Sequence, residues 1–345
     1  MVTYPDKPVP GDRVAILSPG AALPATFPAP YELGLRRLET VYGLVPVEYP
    51  STRVWSSPAE RARDVNAAFA DPEVKAILTS IGGDDQVRIL PHLDADVIRA
   101  NPKPFFGLSD NSNLHLYLFS LGHVSYYGGT VMTLLGRHGS MNPHSAESFQ
   151  AALFTQGWYD LRPAASYTDV HLDWADPASL AIEPEMSPGT GWQWHGQRSG
   201  VVEGRLWGGC LEIVDINLRV GTHLPDDSAY DGCVLYLETS EELPSAGYVA
   251  RLLMCMGERG MLGRFAGLLM GRAKAWSFES PNSPAQRADY VTAQREAVLA
   301  AFTEYNPDIP LVFDVDLGHT DPQLVVPNGG ECRIDPSVGS VSVRY

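Results

Sequence analysis

Basic residues are scarce in this chain. Lys and Arg number 25 against 41 Asp and Glu, for a net charge of −16 at pH 7. A surface that neutralises a phosphate backbone needs clustered Lys and Arg, so a nucleic-acid polymer is excluded as a partner. Cysteine is equally sparse. Cys210, Cys233, Cys255 and Cys332 stand far apart and none forms a C-x-x-C pair. That spacing argues against structural zinc and predicts free, buried thiols in a reducing compartment. No apolar run approaches the ~18 residues that a membrane-spanning helix needs, so no membrane partner is expected. The opening MVTYPDKPVPGDRVAIL has no basic segment followed by a long apolar one, which predicts no secretory signal and a cytoplasmic location.

What is present is an ordinary globular composition, 44% hydrophobic and 19% charged over 345 residues. That length predicts two domains. In the first half, strands alternate with helices. Arg13–Ser18, Val74–Ile81 and Pro104–Leu108 read as buried strands, and Pro30–Tyr42, Ser57–Ala70 and Asn111–Leu121 as helices. Ser57 followed by Pro58 has the form of an N-cap and first helical residue. Near-continuous apolar strands between helices indicate a parallel sheet covered on both faces. From Arg162 to Gly200 the periodicity is lost in a stretch rich in Pro, Gly, Ser and Trp. We therefore expect an N-terminal domain over 1–165, a crossing segment over 166–200 and a C-terminal domain over 201–345. The strand pattern resumes at Val201–Trp207, Cys233–Glu238, Phe265–Gly271 and Leu311–Val315, and Leu324–Val343 reads as a hairpin turning at Asn328-Gly329.

The stretch PFFGLSDNSNLHLYLFSLG carries the chemistry. An apolar strand ends at Gly107-Leu108, Ser109 follows, and a helical pattern begins at once. A serine at such a junction is pre-oriented, and the next backbone N–H, that of Asp110, is placed to stabilise an oxyanion. The pattern departs from G-x-S-x-G because Asn111 fills the last position, a residue that tolerates left-handed geometry. A nucleophilic serine needs a base. His115, on the same helix, is badly placed to reach it. His319 lies in a glycine-flanked loop after the strand Leu311–Val315 and is the better candidate. A carboxylate should orient that imidazole. Glu238 closes the apolar run CVLYL, with Glu241, Glu242, Asp314 and Asp316 as rivals that sequence does not separate. Gly82-Gly83, after another buried strand, offers a tight turn or a second oxyanion donor.

These residues fall within a larger likeness. GDRVAILSPG, AILTSIGGDDQVRILPHLD, PKPFFGLSDNSNLHL, VVEGRLWGGCLEIVDINLRVGT, VLYLETSEE and VDLGHTDPQLVVPNGG occur in an order and spacing that resembles the LD-carboxypeptidase family of serine peptidases, in particular its microcin C7 self-immunity branch. The resemblance implies an α/β fold: an N-terminal doubly wound, mostly parallel sheet domain and a smaller mixed α/β C-terminal domain, commonly as a homodimer. It implies a Ser-Glu-His triad at Ser109, Glu238 and His319. The oxyanion hole would come from Gly82, Gly83 and Asp110. No metal and no cofactor are implied. The implied partner is a small peptide-like or peptidyl-nucleotide substrate, with muropeptide trimming as the alternative and a non-catalytic nucleotide-peptide binder as a third. The branch's usual Gly-Gly-Asn is Gly208-Gly209-Cys210 here, which places Cys210 in the implied substrate contact. Its nucleobase-stacking aromatic is sought in GTGWQWHGQ, at Trp192 or Trp194, indoles expected to stay out of the core.

Overall fold

A computed structural model describes residues 2–196 and 200–345. Its centre is a large mixed sheet. In the N-terminal half the strands Val45–Glu48, Arg13–Leu17, Val74–Thr79, Phe105–Gly107 and Ser125–Tyr127 lie side by side in that order, all parallel. In the C-terminal half Val202–Cys210, Val234–Glu238, Gly267–Gly271 and Leu311–Val315 are likewise parallel neighbours. The short strand Val326–Asn328 joins the halves. It pairs antiparallel with Ser125–Tyr127 and meets Val202–Cys210 through the pair Leu206–Asn328.

Of the apolar strands predicted from sequence, Val74–Thr79, Val234–Glu238 and Leu311–Val315 are buried, with Lys75 the exposed exception, as expected of a sheet covered on both faces. The helix Pro58–Ala70 starts where Ser57 predicts. Ser57 and Glu60 exchange side-chain and backbone bonds in a capping box, and Pro58 fills the first position. Ser283, Pro284 and Gln286 repeat that device for Pro284–Tyr305.

Three sequence expectations change. The C-terminal hairpin is Glu331–Asp335 with Ser340–Arg344, turning after Asp335 and not at Asn328-Gly329. Asn328 is instead fully buried and donates to the carbonyl of His115 at 2.8 Å, so its strand is consumed in joining the halves. The stretch 166–196 is not a bare crossing. Ser166–Tyr167 pairs with Ser187–Pro188, and Gln193–His195 adds an antiparallel edge strand beside Leu311–Val315. Trp192 is a core side chain, 8% exposed, with its indole N–H on Asp316 at 3.0 Å. A polar loop composition concealed it because side-chain contacts, not periodicity, pin the segment.

No helix among the described residues is long and apolar enough to cross a membrane.

Candidate active site

Ser109 follows the strand Phe105–Gly107 at the start of a single 3-10 turn, Ser109–Asn111, which leads into the helix Ser112–Ser120. Its φ is +64°, the left-handed region that a residue with a Cβ adopts only under constraint. The strained residue is thus the serine itself. Asn111 is right-handed, at φ −64°, contrary to the role its left-handed tolerance suggested. Its contribution is to pin the turn. Its amide donates to the carbonyls of Leu108 at 2.8 Å and Ile81 at 3.0 Å and accepts from Gln86 at 2.8 Å.

The Gly82-Gly83 turn lies against this elbow. A Cβ on Gly82 would stand 2.9 Å from the Ser109 Cβ and 3.3 Å from the Asp110 nitrogen. The Gly82 carbonyl accepts from Ala21, so the N–H of Gly83, antiparallel to it across a planar peptide, points away from Ala21. Arg61 is buried and braces the turn from outside. It donates to the carbonyls of Pro19 and Gly20 and pairs with Asp85 at 2.8 Å. The Asp110 side chain is buried and accepts from the Gln86 N–H at 3.0 Å and the Asn113 amide at 2.8 Å. Burial pushes its carboxyl up to about 7.

Glu238 ends its strand with no exposed surface. One carboxylate oxygen meets His319 Nδ1 at 2.7 Å, and the other accepts the hydroxyl of Tyr127. Two of the rivals are engaged elsewhere. Asp314 pairs with Arg295 at 2.7 Å, and Asp316 accepts from Ala164 and Trp192 and faces Arg272. Glu242 is exposed. Glu241 reaches the other face of the ring, its carboxylate 3.3 Å from His319 Nε2. Burial pulls the imidazole pKa down, but Glu238 and Glu241 outweigh it and raise it to about 9.

Ser109 and Glu238 are linked through one hydroxyl. The Ser109 N–H donates to Tyr127 Oη at 3.3 Å, and Tyr127 donates to Glu238. Sequence reasoning passed over Tyr127, because nothing in Ser-Tyr-Tyr marks which of two strand tyrosines turns toward the site. Glu212 was missed for the same reason. It accepts the N–H and hydroxyl of Ser240, fixing the loop just past Glu238. His115 is buried between Gly107 O and Ser125 Oγ, braced beneath the elbow.

The implied substrate contacts are placed differently. Cys210 stands beside Glu238 on the neighbouring strand, but its thiol is buried and donates to Glu212 at 3.4 Å. Trp192 is in the core. Trp194 pairs opposite Val312, near the start of Leu311–Val315, while His319 follows that strand's other end. A third indole, Trp174, does reach the site. It lines a recess together with Leu108, His171, His319, Thr320 and Gln323. Among the described residues no group of His, Cys, Asp and Glu is arranged to hold a metal ion.

On this α/β fold a strained serine at a strand-to-helix turn is thus accompanied by a buried carboxylate–imidazole pair beyond later strand ends, the residue types that a serine hydrolase combines. The chain belongs to the LD-carboxypeptidase family. It matches the family's N-terminal domain over residues 14–128 and its C-terminal domain over 203–334. Among curated relatives, the microcin C7 self-immunity protein MccF of Escherichia coli is 25% identical over 287 residues, covering 82% of this chain and 78% of that protein. Among solved structures, an MccF-like protein from Streptococcus pneumoniae in complex with AMP superposes with a TM-score of 0.83 at 27% identity, covering 97% of this chain and 99% of the other. MccF in complex with aspartyl sulfamoyl adenosine gives 0.82 at 24% identity, each chain covered to 99%.

Proposed function

We propose that this protein is a serine peptidase or amidase that cleaves the amide bond of peptidyl- or aminoacyl-nucleotides of the microcin C type, and so detoxifies them. The observation that carries the reading is the 2.7 Å contact of Glu238 with His319 Nδ1, tied through Tyr127 to a serine held at positive φ. In this mechanism His319 Nε2 takes the Ser109 proton as Oγ attacks the amide carbonyl. Glu238 fixes the tautomer that leaves Nε2 free and stabilises the imidazolium. The N–H groups of Asp110 and Gly83 hold the oxyanion. The imidazolium then returns its proton to the leaving nitrogen, and the amide C–N bond breaks to give the acyl-serine. Water, deprotonated by His319, attacks that ester; the imidazolium gives the proton to Oγ as the C–Oγ bond breaks, and the acid and free Ser109 are released.

The nucleotide part is supported by the neighbours that bind AMP and an aminoacyl sulfamoyl adenosine. In this chain the flat wall offered to a base is Trp174, beside His319, in preference to Trp192 or Trp194. The second reading, removal of a terminal D-residue from muropeptides, is favoured by the family's description as LD-carboxypeptidases. Hydrolysis of an aminoacyl sulfamoyl adenosine, assayed beside an LD-tetrapeptide, separates the two. Turnover of the nucleotide by wild type and none by Ser109→Ala is the expected result. Turnover of the tetrapeptide alone supports the second reading. Binding without turnover of either would leave a nucleotide-peptide binder.

A further inference from the structure

The two faces of the His319 ring are held very differently. On the Nδ1 side, Glu238 is fully buried and fixed by the Tyr127 hydroxyl. On the Nε2 side, Glu241 contributes a carboxylate at 3.3 Å from a side chain that is 58% exposed. Nε2 is the atom that a serine mechanism requires to face Ser109. Among the described residues no hydrogen bond joins Ser109 Oγ to His319, and the carboxylate of Glu241 takes that side of the ring instead. An exposed ion contact is weak and easily exchanged, whereas a buried, hydrogen-bonded one is not.

We propose that Glu241 is a positioning residue that latches His319 in the free enzyme, occupying Nε2 until substrate displaces it. The inference rests on the serine-peptidase reading of this site. Flanked by two carboxylates, the ring is stabilised as imidazolium, which has no Nε2 lone pair with which to accept the Ser109 proton. Substrate entering beside His319 displaces the solvated Glu241 side chain, and the ring then loses one of its two anionic partners. The loss favours the neutral form that acts as base. Glu238 stays in place through the exchange, so the ring's anchor at Nδ1 is unchanged.

The other charged groups around the pair are Glu212, Glu242 and His171, which face His319, and Lys274, which faces Glu241. Glu212 is held by Ser240 and Cys210, and Lys274 by the carbonyl of Asp169. None of these contacts Nε2 at ion-pair distance, which leaves Glu241 as the group whose removal frees that nitrogen.

The test is Glu241→Gln in the full chain, read in two ways. Isotope-labelled histidine, with the His319 signal assigned by its absence in His319→Asn, gives the titration midpoint without substrate. A fluorophosphonate probe gives the rate of Ser109 modification from neutral to alkaline pH. Removing one carboxylate at this distance should lower the midpoint by about one pH unit. Labelling at neutral pH should rise several-fold and converge with wild type at alkaline pH, where both rings are neutral. A midpoint that does not move overturns the proposal, and so does a lowered midpoint with slower labelling. If the probe fails to label wild type, the serine-peptidase reading itself falls. The histidine titration would then still decide whether Glu241 holds the ring.

Discussion

Tyr127 and Glu238 lie 111 residues apart, yet their side chains share a buried hydrogen bond in which the phenol donates to the carboxylate. The same hydroxyl accepts the Ser109 N–H at 3.3 Å. One oxygen therefore joins the elbow of the N-terminal half to the strand end of the C-terminal half. Tyr127→Phe should leave the strand intact and remove that oxygen. A buried carboxylate oxygen and a backbone N–H would then lack their partner, at a cost of about 1–3 kcal/mol. We expect a lowered melting temperature together with a fall in kcat for the aminoacyl-nucleotide. A variant with wild-type kcat would remove Tyr127 from the catalytic support.

The positive φ of Ser109 yields a test independent of turnover. Left-handed geometry costs a residue with a Cβ about 1–2 kcal/mol, and glycine avoids that cost. Ser109→Gly should therefore unfold at higher denaturant than Ser109→Ala, with both inactive. Equal midpoints would show that the turn is relaxed.

Gly318 presses on the carboxylate that meets His319 Nδ1. It has φ +96°, and a Cβ there would come within 2.3 Å of the Glu238 oxygen that meets His319. Gly318→Ala should displace Glu238, lower kcat sharply and destabilise the fold by about 1–3 kcal/mol, as expected for strain at such a position. Retained activity and an unchanged melt would refute the close packing.

Asp169 clamps the segment that leads to Trp174. Its carboxylate pairs with Arg287 at 2.5 Å, and its carbonyl accepts from the buried ammonium of Lys274. Thr168 and Asp321 add a mutual pair of backbone bonds. Asp169→Asn removes the charge that holds Arg287. KM for the nucleotide substrate should rise several-fold while kcat changes little, and protease should cut within 166–190 more readily. An unaltered KM would show that the backbone bonds alone set the loop.

Much of this molecule is legible locally. Apolar runs such as Val-Leu-Tyr-Leu specify buried strands because no other placement satisfies both their side chains and their backbone. Ser57-Pro58 and Ser283-Pro284 mark helix starts because capping is decided within four residues. The serine at a strand-to-helix junction is visible for the same reason. The family's ordered segments add His319 and Glu238 as expectations. Apart from that likeness, the choice of Glu238 over Asp314 and Asp316 belongs to the tertiary structure. Each rival is also a carboxylate near a strand end, and only packing shows that Arg295 and Arg272 face the latter two.

Trp192 and Trp174 mark the limit from the other side. Glycine-rich flanks suggested a free indole at Trp192, but its N–H found Asp316 and its ring the core. Trp174 reached the recess beside His319 from a stretch with no periodic signal. Sequence by itself determined the central parallel strands, the serine–proline caps and the strand-to-helix turn at Ser109, since these follow from interactions between near neighbours. The family likeness put Glu238 forward and the tertiary structure brings it to Nδ1, but tertiary structure alone decided that Glu241 meets Nε2 and that Tyr127 joins the two halves. Those contacts span tens to hundreds of residues, and their partners are selected by burial and distance, which no local pattern encodes.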